Sequence, residues 1–200
     1  MLRELPTIAQ LLKGLQQVPY LASRNLYRVA EYFLEQDVKK VELFCALLLQ
    51  AKNNVLKCDD CFTWREKERS CFFCSSKKRD QSIVCVVETW QELLAIEQTK
   101  GYGGVYHVLG GVIYPLNGVG PEDLSIEPLI ARVERQQIKE IILALSQTPE
   151  GEATSAYIAS KLKEIPVTIT CLARGLPVGS SLGMMDRVTV FKALSERRPF

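Results

Sequence analysis

Apolar residues recur at spacings of three and four along the first part of the chain. Ile8, Leu11, Leu12, Leu15 and Val18 fall at i, i+3, i+4 and i+7, the stripe that one face of a helix presents to a core. Leu26, Val29, Ala30, Phe33 and Leu34 repeat the pattern, and Val41, Phe44, Leu47, Leu48 and Ala51 form a third stripe. Pro19 separates the first two, because its ring removes an amide hydrogen and clashes inside a helix, so residues 18–23 are expected to turn. From Ser82 onward the period changes. Residues 83–87 are a continuous apolar run of strand length, suited to a strand covered on both faces. Residues 105–109, 141–145 and 167–171 supply three further strands, with helical patterns at 90–96, 126–133 and 153–162 separating the segments. This alternation predicts an α/β fold with a parallel sheet and crossover helices. There is no internal repeat and no low-complexity tract.

Residues 58–80 follow neither period. They hold Cys58, Cys61, Cys71 and Cys74, two Cys-x-x-Cys knuckles nine residues apart. Each knuckle aims two sulfurs at one point, and two knuckles complete a tetrahedron around Zn²⁺. Four thiolates leave no open coordination position, so one structural Zn²⁺ per chain is expected rather than a catalytic one. A segment this poor in aliphatic residues has no core of its own, and metal binding would supply much of its folding free energy. Cys45, Cys85 and Cys171 lie in apolar patterns and are expected to be small core residues.

Composition narrows the class. The chain has 200 residues, 47% hydrophobic and 24% charged, the balance of a folded protein. Lys+Arg exceed Asp+Glu by only 25 to 23, so no strong basic field marks a nucleic-acid partner. The charge is nevertheless uneven: residues 1–80 carry 14 basic and 10 acidic side chains, which places any DNA-facing surface in the first half. The opening residues lack a signal-peptide core, no apolar run reaches the roughly 18 residues of a membrane span, and seven cysteines is an odd number. A cytoplasmic chain with reduced thiols and no membrane partner is expected.

The order of these parts resembles the RecR family of bacterial recombination mediators. Helix, turn, helix, four-cysteine knuckle and α/β domain follow one another as they do there. Gly104-Val105-Tyr106-His107-Val108-Leu109-Gly110-Gly111, the run from Pro115 to Asp123, and Leu172-Ala173-Arg174-Gly175-Leu176-Pro177-Val178-Gly179 match the family pattern closely, so the resemblance covers essentially residues 5–197. It implies a helix-hairpin-helix module over 1–57, a four-cysteine zinc finger over 58–80, a Toprim domain with a Rossmann-like parallel sheet over 81–175, and a C-terminal interface segment over 176–200. In the family the hairpin reads Pro-Gly-x-Gly, whose glycines let backbone approach a phosphate. Here Tyr20 and Ala22 fill both glycine positions, while Arg24 and Arg28, one helical turn apart, match the basic pair that faces DNA.

Glu88 follows the first buried run, and Glu150-Gly151-Glu152-Ala153-Thr154 opens a later helix, as in Toprim domains. Catalytic Toprim enzymes bind Mg²⁺ with the first Glu and an Asp-x-Asp pair. Ser146-Gln147-Thr148 stands at the Asp positions, so both those carboxylates are missing, as they are in RecR proteins. The resemblance therefore implies a non-enzymatic, sequence-independent DNA-binding protein of recombination and repair. It would form a homo-oligomer, dimer to tetramer, closing into a ring. It would act with RecO, and with RecF as a further partner, to load RecA on single-stranded gaps near the bacterial nucleoid. Glu88, Glu150 and Glu152 would form an acidic edge for basic RecO. The competing reading is a Mg²⁺-dependent Toprim nuclease or primase-like enzyme using those same three glutamates. A third is a zinc-stabilised interaction module without a DNA role. His107, alone in an apolar run, is expected to be a hydrogen-bonded structural residue. Asp186-Arg187 falls where the family often has Asp-Glu, and is expected at an edge packing against another subunit.

Overall fold

Packing divides the chain into two units, residues 1–55 and 56–200. The computed structural model describes residues 5–173 and 175–197. The first unit holds α1 (Pro6–Leu15), α2 (Ser23–Glu35) and α3 (Val38–Asn54). Pro6 starts α1, where a missing amide hydrogen costs nothing. This helix ends at Leu15, before Val18, because residues 16–18 turn ahead of Pro19. Leu12, Leu26 and Ala30 are buried together, with Ile8, Leu15 and Leu21 packed on them. That small core joins α1 to α2. Helix α3 has no buried residue, and Leu43, Phe44, Leu47, Leu48 and Leu49 are all exposed.

A two-stranded sheet follows, β1 (Val55–Lys57), which begins on the last residue of the first unit, beside β2 (Trp64–Glu66). Then come β3 (Asp80–Val87), α4 (Trp90–Gln98), β4 (Gly104–Val108), α5 (Ile126–Arg135), β5 (Glu140–Leu143), α6 (Pro149–Lys161), β6 (Thr168–Cys171) and α7 (Arg187–Ser195). The four later strands form one sheet in the order β4-β3-β5-β6, and every pairing is parallel. Strand β3 is central: Cys85 stands opposite both Tyr106 and Ile142. The pleat sends alternate side chains to opposite faces. Val84, Val86, Val105, Ile141 and Leu143 pack with Leu129, Val133, Ile158 and Leu162 of α5, α6 and the turn after α6. Cys85, Val87, Tyr106 and Val108 point the other way, into a second core that contains Leu93 of α4, Phe73, and the buried Cys58, Cys61 and Cys71. The cysteine module therefore shares a core with the sheet.

Chain order reverses its direction of travel across the sheet between β3 and β5. Such a switch point leaves a crevice at the carboxyl ends of the two strands, the usual place for a site in a parallel sheet. Glu88 directly follows β3 and Ser146 lies shortly beyond β5, so both border it. Among the described residues no helix is long and apolar enough to cross a membrane.

Of the three remaining cysteines, only Cys85 is buried; Cys45 and Cys171 are exposed. Their apolar patterns are real, but Cys45 sits on the uncovered α3 and Cys171 at the end of the edge strand β6. His107 is fully buried, with Nε2 2.8 Å from the Ser125 carbonyl, which only a protonated nitrogen can satisfy. Burial lowers its pKa to about 4, against the smaller opposing pull of the Ser125 carbonyl. Asp186 is the N-cap of α7, its carboxylate accepting the Val188 and Thr189 amides at 3.0 and 2.9 Å.

Candidate functional site

The four cysteine sulfurs lie within 4.8 Å of one another. Cys61 and Cys71 are 3.4 Å apart, and Cys58 and Cys74 are 4.0 Å apart. Four sulfurs about 2.3 Å from a central metal would be separated by about 3.8 Å. The donor set and its spacing thus fit a thiophilic divalent cation in a closed tetrahedral site. Local backbone builds the geometry. The Phe62 amide donates to the Cys58 carbonyl at 2.9 Å and the Cys58 amide to the Thr63 carbonyl at 2.7 Å, which closes the first knuckle. Phe62 takes φ 59° at the bend, with its ring 5.3 Å from that of His107. In the second knuckle the Ser75 amide donates to the Cys71 carbonyl at 3.1 Å. The Val108 amide donates to the Cys61 carbonyl at 2.9 Å, fastening the first knuckle to the outer edge of β4.

Crowded sulfurs share their protons unevenly. A hydrogen bond with Cys61 lowers Cys58 to about 6, and one with Cys58 lowers Cys71, while bonds with Cys58 push Cys61 and Cys74 up. A cation held there would resolve that competition by keeping all four as thiolates. The Thr63 hydroxyl, 3.1 Å from the Cys61 sulfur and 3.6 Å from that of Cys71, supports the ligand shell. Cysteine spacing alone does not point to Thr63. Arg79 ties the module to the sheet from the other side. It is 2.5 Å from Glu97, donates to the Gly104 carbonyl at 2.9 Å, and lies over the Phe73 ring at 4.9 Å.

At the sheet crevice the acids turn to partners of the protein itself. Glu88 accepts the Ser146 amide at 2.5 Å. Glu152, in the first turn of α6, pairs with Lys192 of α7 at 2.8 Å. Thr148 caps α6, its hydroxyl accepting the Gly151 amide at 3.2 Å, and Thr154 Oγ1 both donates to the Glu150 carbonyl and accepts the Ile113 amide. Gly151 is required by close approach: a Cβ there would lie 2.1 Å from the Ser146 carbonyl oxygen. Beside Glu152 opens a cleft of about 460 Å³, lined by Leu145, Gln147, Ala156, Ile169 and Thr170. Among the described residues, the cysteines are the only group of three or more potential metal ligands; the three glutamates form none. Lys192 carried no sequence signal, being 40 residues from its partner.

In the first unit the turn between α1 and α2 places Tyr20 at φ 65°, the left-handed region, with its side chain fully exposed. Ala22 offers no side-chain cap to α2, and no acid occupies its first turn. The amide end of α2 thus keeps its unneutralised positive dipole. Arg24 and Arg28 are exposed on this helix, with no ion-pair partner among the described residues. Tyr27, also exposed, lies between them at the three-residue spacing from Arg24.

Comparison with known proteins agrees with this architecture. The family described as Toprim domain matches residues 82–173, and the one described as RecR, C-terminal, matches residues 175–198. The recombination protein RecR of Gloeothece citriformis is 41% identical over 194 residues, covering 96% of both chains. That of Synechococcus sp. is 42% identical over 195 residues, 96% of this chain and 98% of the relative. That of Acidobacterium capsulatum is 41% identical over 191 residues and 96% of each. With a parallel Toprim sheet, a four-cysteine cluster and this identity along nearly its whole length, the chain belongs to the RecR family of recombination proteins.

Proposed function

We propose that this chain is a non-catalytic recombination mediator that binds DNA without sequence preference and recruits RecO, with RecF as a second partner, to load RecA at single-stranded gaps. The observation that carries this reading is the state of the crevice acids. A phosphoryl-transfer site needs carboxylates converging on Mg²⁺. Here Glu88 accepts an amide hydrogen and Glu152 faces a lysine, and serine and threonine stand at the Asp-x-Asp positions. Glu88, Glu150 and Glu152 are better suited to meeting a basic protein surface.

Cys58, Cys61, Cys71 and Cys74 would hold one Zn²⁺, which supplies folding energy and leaves no open position for chemistry. Arg24 and Arg28, beside the amide end of α2, would contact phosphates. The uncovered apolar residues of α3 suit pairing between copies, and a ring of four would sum weak phosphate contacts into a salt-sensitive hold on DNA. Such a protein works in the bacterial cytoplasm at the nucleoid.

The test is light scattering with and without a single-strand/duplex junction, together with DNA titrations at several salt concentrations. A mass near four protomers and an affinity that falls with salt are expected. Arg24→Ala/Arg28→Ala should weaken binding and flatten the salt slope by about two phosphate contacts per chain. Mg²⁺-dependent cleavage or synthesis that disappears in Glu88→Gln overturns the non-catalytic reading. DNA affinity unchanged in the double arginine variant overturns the placement of the DNA surface.

A further inference from the structure

We propose that Tyr20 is a stacking platform for an unpaired nucleobase of DNA held at the α1–α2 turn. This rests on reading the Arg24 and Arg28 face as the DNA surface, and it names which form of DNA that face prefers.

The backbone at this residue is unusual. Tyr20 takes φ 65°, a region that glycine enters freely and that crowds the Cβ of any other residue. A bulky aromatic residue there is an outlier that normally persists because packing repays it. Tyr20 has no such repayment, since its side chain is fully exposed and takes part in none of the ring pairs or hydrogen bonds of the described residues. The turn itself is closed without it, by the Leu21 amide donating to the Val18 carbonyl at 3.4 Å. Glycine would serve this turn better, so what the position gains from tyrosine is the ring, held out from the surface on a fixed backbone. Such a strained, outward-facing residue is a mark of a binding site.

Its surroundings specify the ligand. Three residues on, α2 begins with an amide end that has no side-chain cap and no acid, and Arg24, Tyr27 and Arg28 share one exposed face of that helix. Two cations and a helix amide end recognise phosphates. An aromatic face recognises the flat face of a base, with little regard for sequence. A blunt duplex hides its base faces in the stack and offers only the phosphates. A single strand offers both groups together. The combination therefore selects DNA with unpaired bases, and in this chain base stacking replaces the close backbone approach that glycines would allow.

The test measures binding of a fluorescent oligo(dT) strand and of a blunt duplex to the zinc-loaded full chain, with melting temperature and mass recorded for each variant. Tyr20→Phe, which keeps the stacking face, should bind as the parent does. Tyr20→Gly should bind oligo(dT) about 10-fold more weakly and the duplex unchanged. Its melting temperature should equal or exceed the parent's, because glycine accepts the positive φ. Arg24→Ala/Arg28→Ala should weaken both ligands. If the arginine variant loses both ligands and Tyr20→Gly loses neither, the stacking role falls and the DNA face stands. If Tyr20→Gly alone weakens oligo(dT), the stacking role stands and the arginine placement falls. A lower melting temperature in Tyr20→Gly, or a changed mass at unchanged DNA affinity, assigns the ring to packing within or between chains and overturns the proposal.

Discussion

Lys192 Nζ lies 2.8 Å from Glu152 Oε1, so α7 places a cation on the acidic edge of the Toprim crevice. Both side chains are partly exposed, and a pair of this kind contributes less than about 1 kcal/mol to stability. Its larger effect is on what else can approach Glu152. A basic protein partner must compete with Lys192 for that carboxylate. Lys192→Ala is expected to leave the fold intact and, where the proposed partner RecO meets this edge, to tighten its binding by up to about 5-fold, the most that one exposed ion pair supplies. Calorimetric titration at low salt measures it, and the gain should shrink as salt rises. Unchanged affinity would show that Lys192 does not compete with the partner at this edge.

Metal removal should reach far beyond the cysteine module. Cys58, Cys61 and Cys71 are packed in the same core as Val87, Leu93 and Tyr106, and the Cys61 carbonyl holds the Val108 amide. Losing a metal held there would therefore uncover one face of the sheet as well as unfold the knuckles. Metal analysis is expected to give one zinc per chain. Chelation or Cys61→Ser should lower the melting temperature by more than about 10 °C, in line with the loss of a structural site. Cys45→Ser and Cys171→Ser should retain the metal and the stability, because both thiols are exposed and outside the cluster.

Gly151 can be tested in the same way. The Cβ of Gly151→Ala would fall 2.1 Å from the Ser146 carbonyl oxygen, a backbone atom that cannot turn aside. The loop must move, and Ser146 is the residue whose amide binds Glu88. The cost expected is about 1–3 kcal/mol, the range for overpacking a closed site. Denaturant unfolding measures it. Gly14→Ala is the control, since a Cβ there meets nothing and alanine favours helix.

The parallel sheet was legible in the sequence because runs such as 83–87 have no polar break, and the four-cysteine cluster because its members lie within 17 residues of chain. Cys45 and Cys171 misled because an apolar pattern marks a face that prefers cover without saying whether the chain itself provides it. Lys192 and Glu152 meet only through tertiary folding, so no local spacing relates them. Tyr20 was visible as the residue at a glycine position, but periodicity carries no dihedral angle, and its left-handed backbone emerged only from the fold.

His107 should make stability depend on pH in a defined direction. Its ring is fully buried, Nε2 donates to the Ser125 carbonyl, and Nδ1 has no hydrogen-bond partner among the described residues. Burial holds the folded pKa at about 4, below the ordinary 6.5. The unfolded chain therefore takes up a proton first as pH falls. The contribution of neutral His107 is present above pH 6.5 and is lost progressively between there and about 4, at a little over 1 kcal/mol per pH unit once the unfolded histidine is protonated. Because acid also protonates the cysteine ligands, the comparison must be made against His107→Asn, with zinc content followed at each pH. The parent is expected to lose stability more steeply than the variant between about pH 6 and pH 5, while both retain the metal, as measured by urea unfolding. Parallel pH profiles would mean that the histidine charges freely in the folded protein, in conflict with its burial against Phe62 and Ser125.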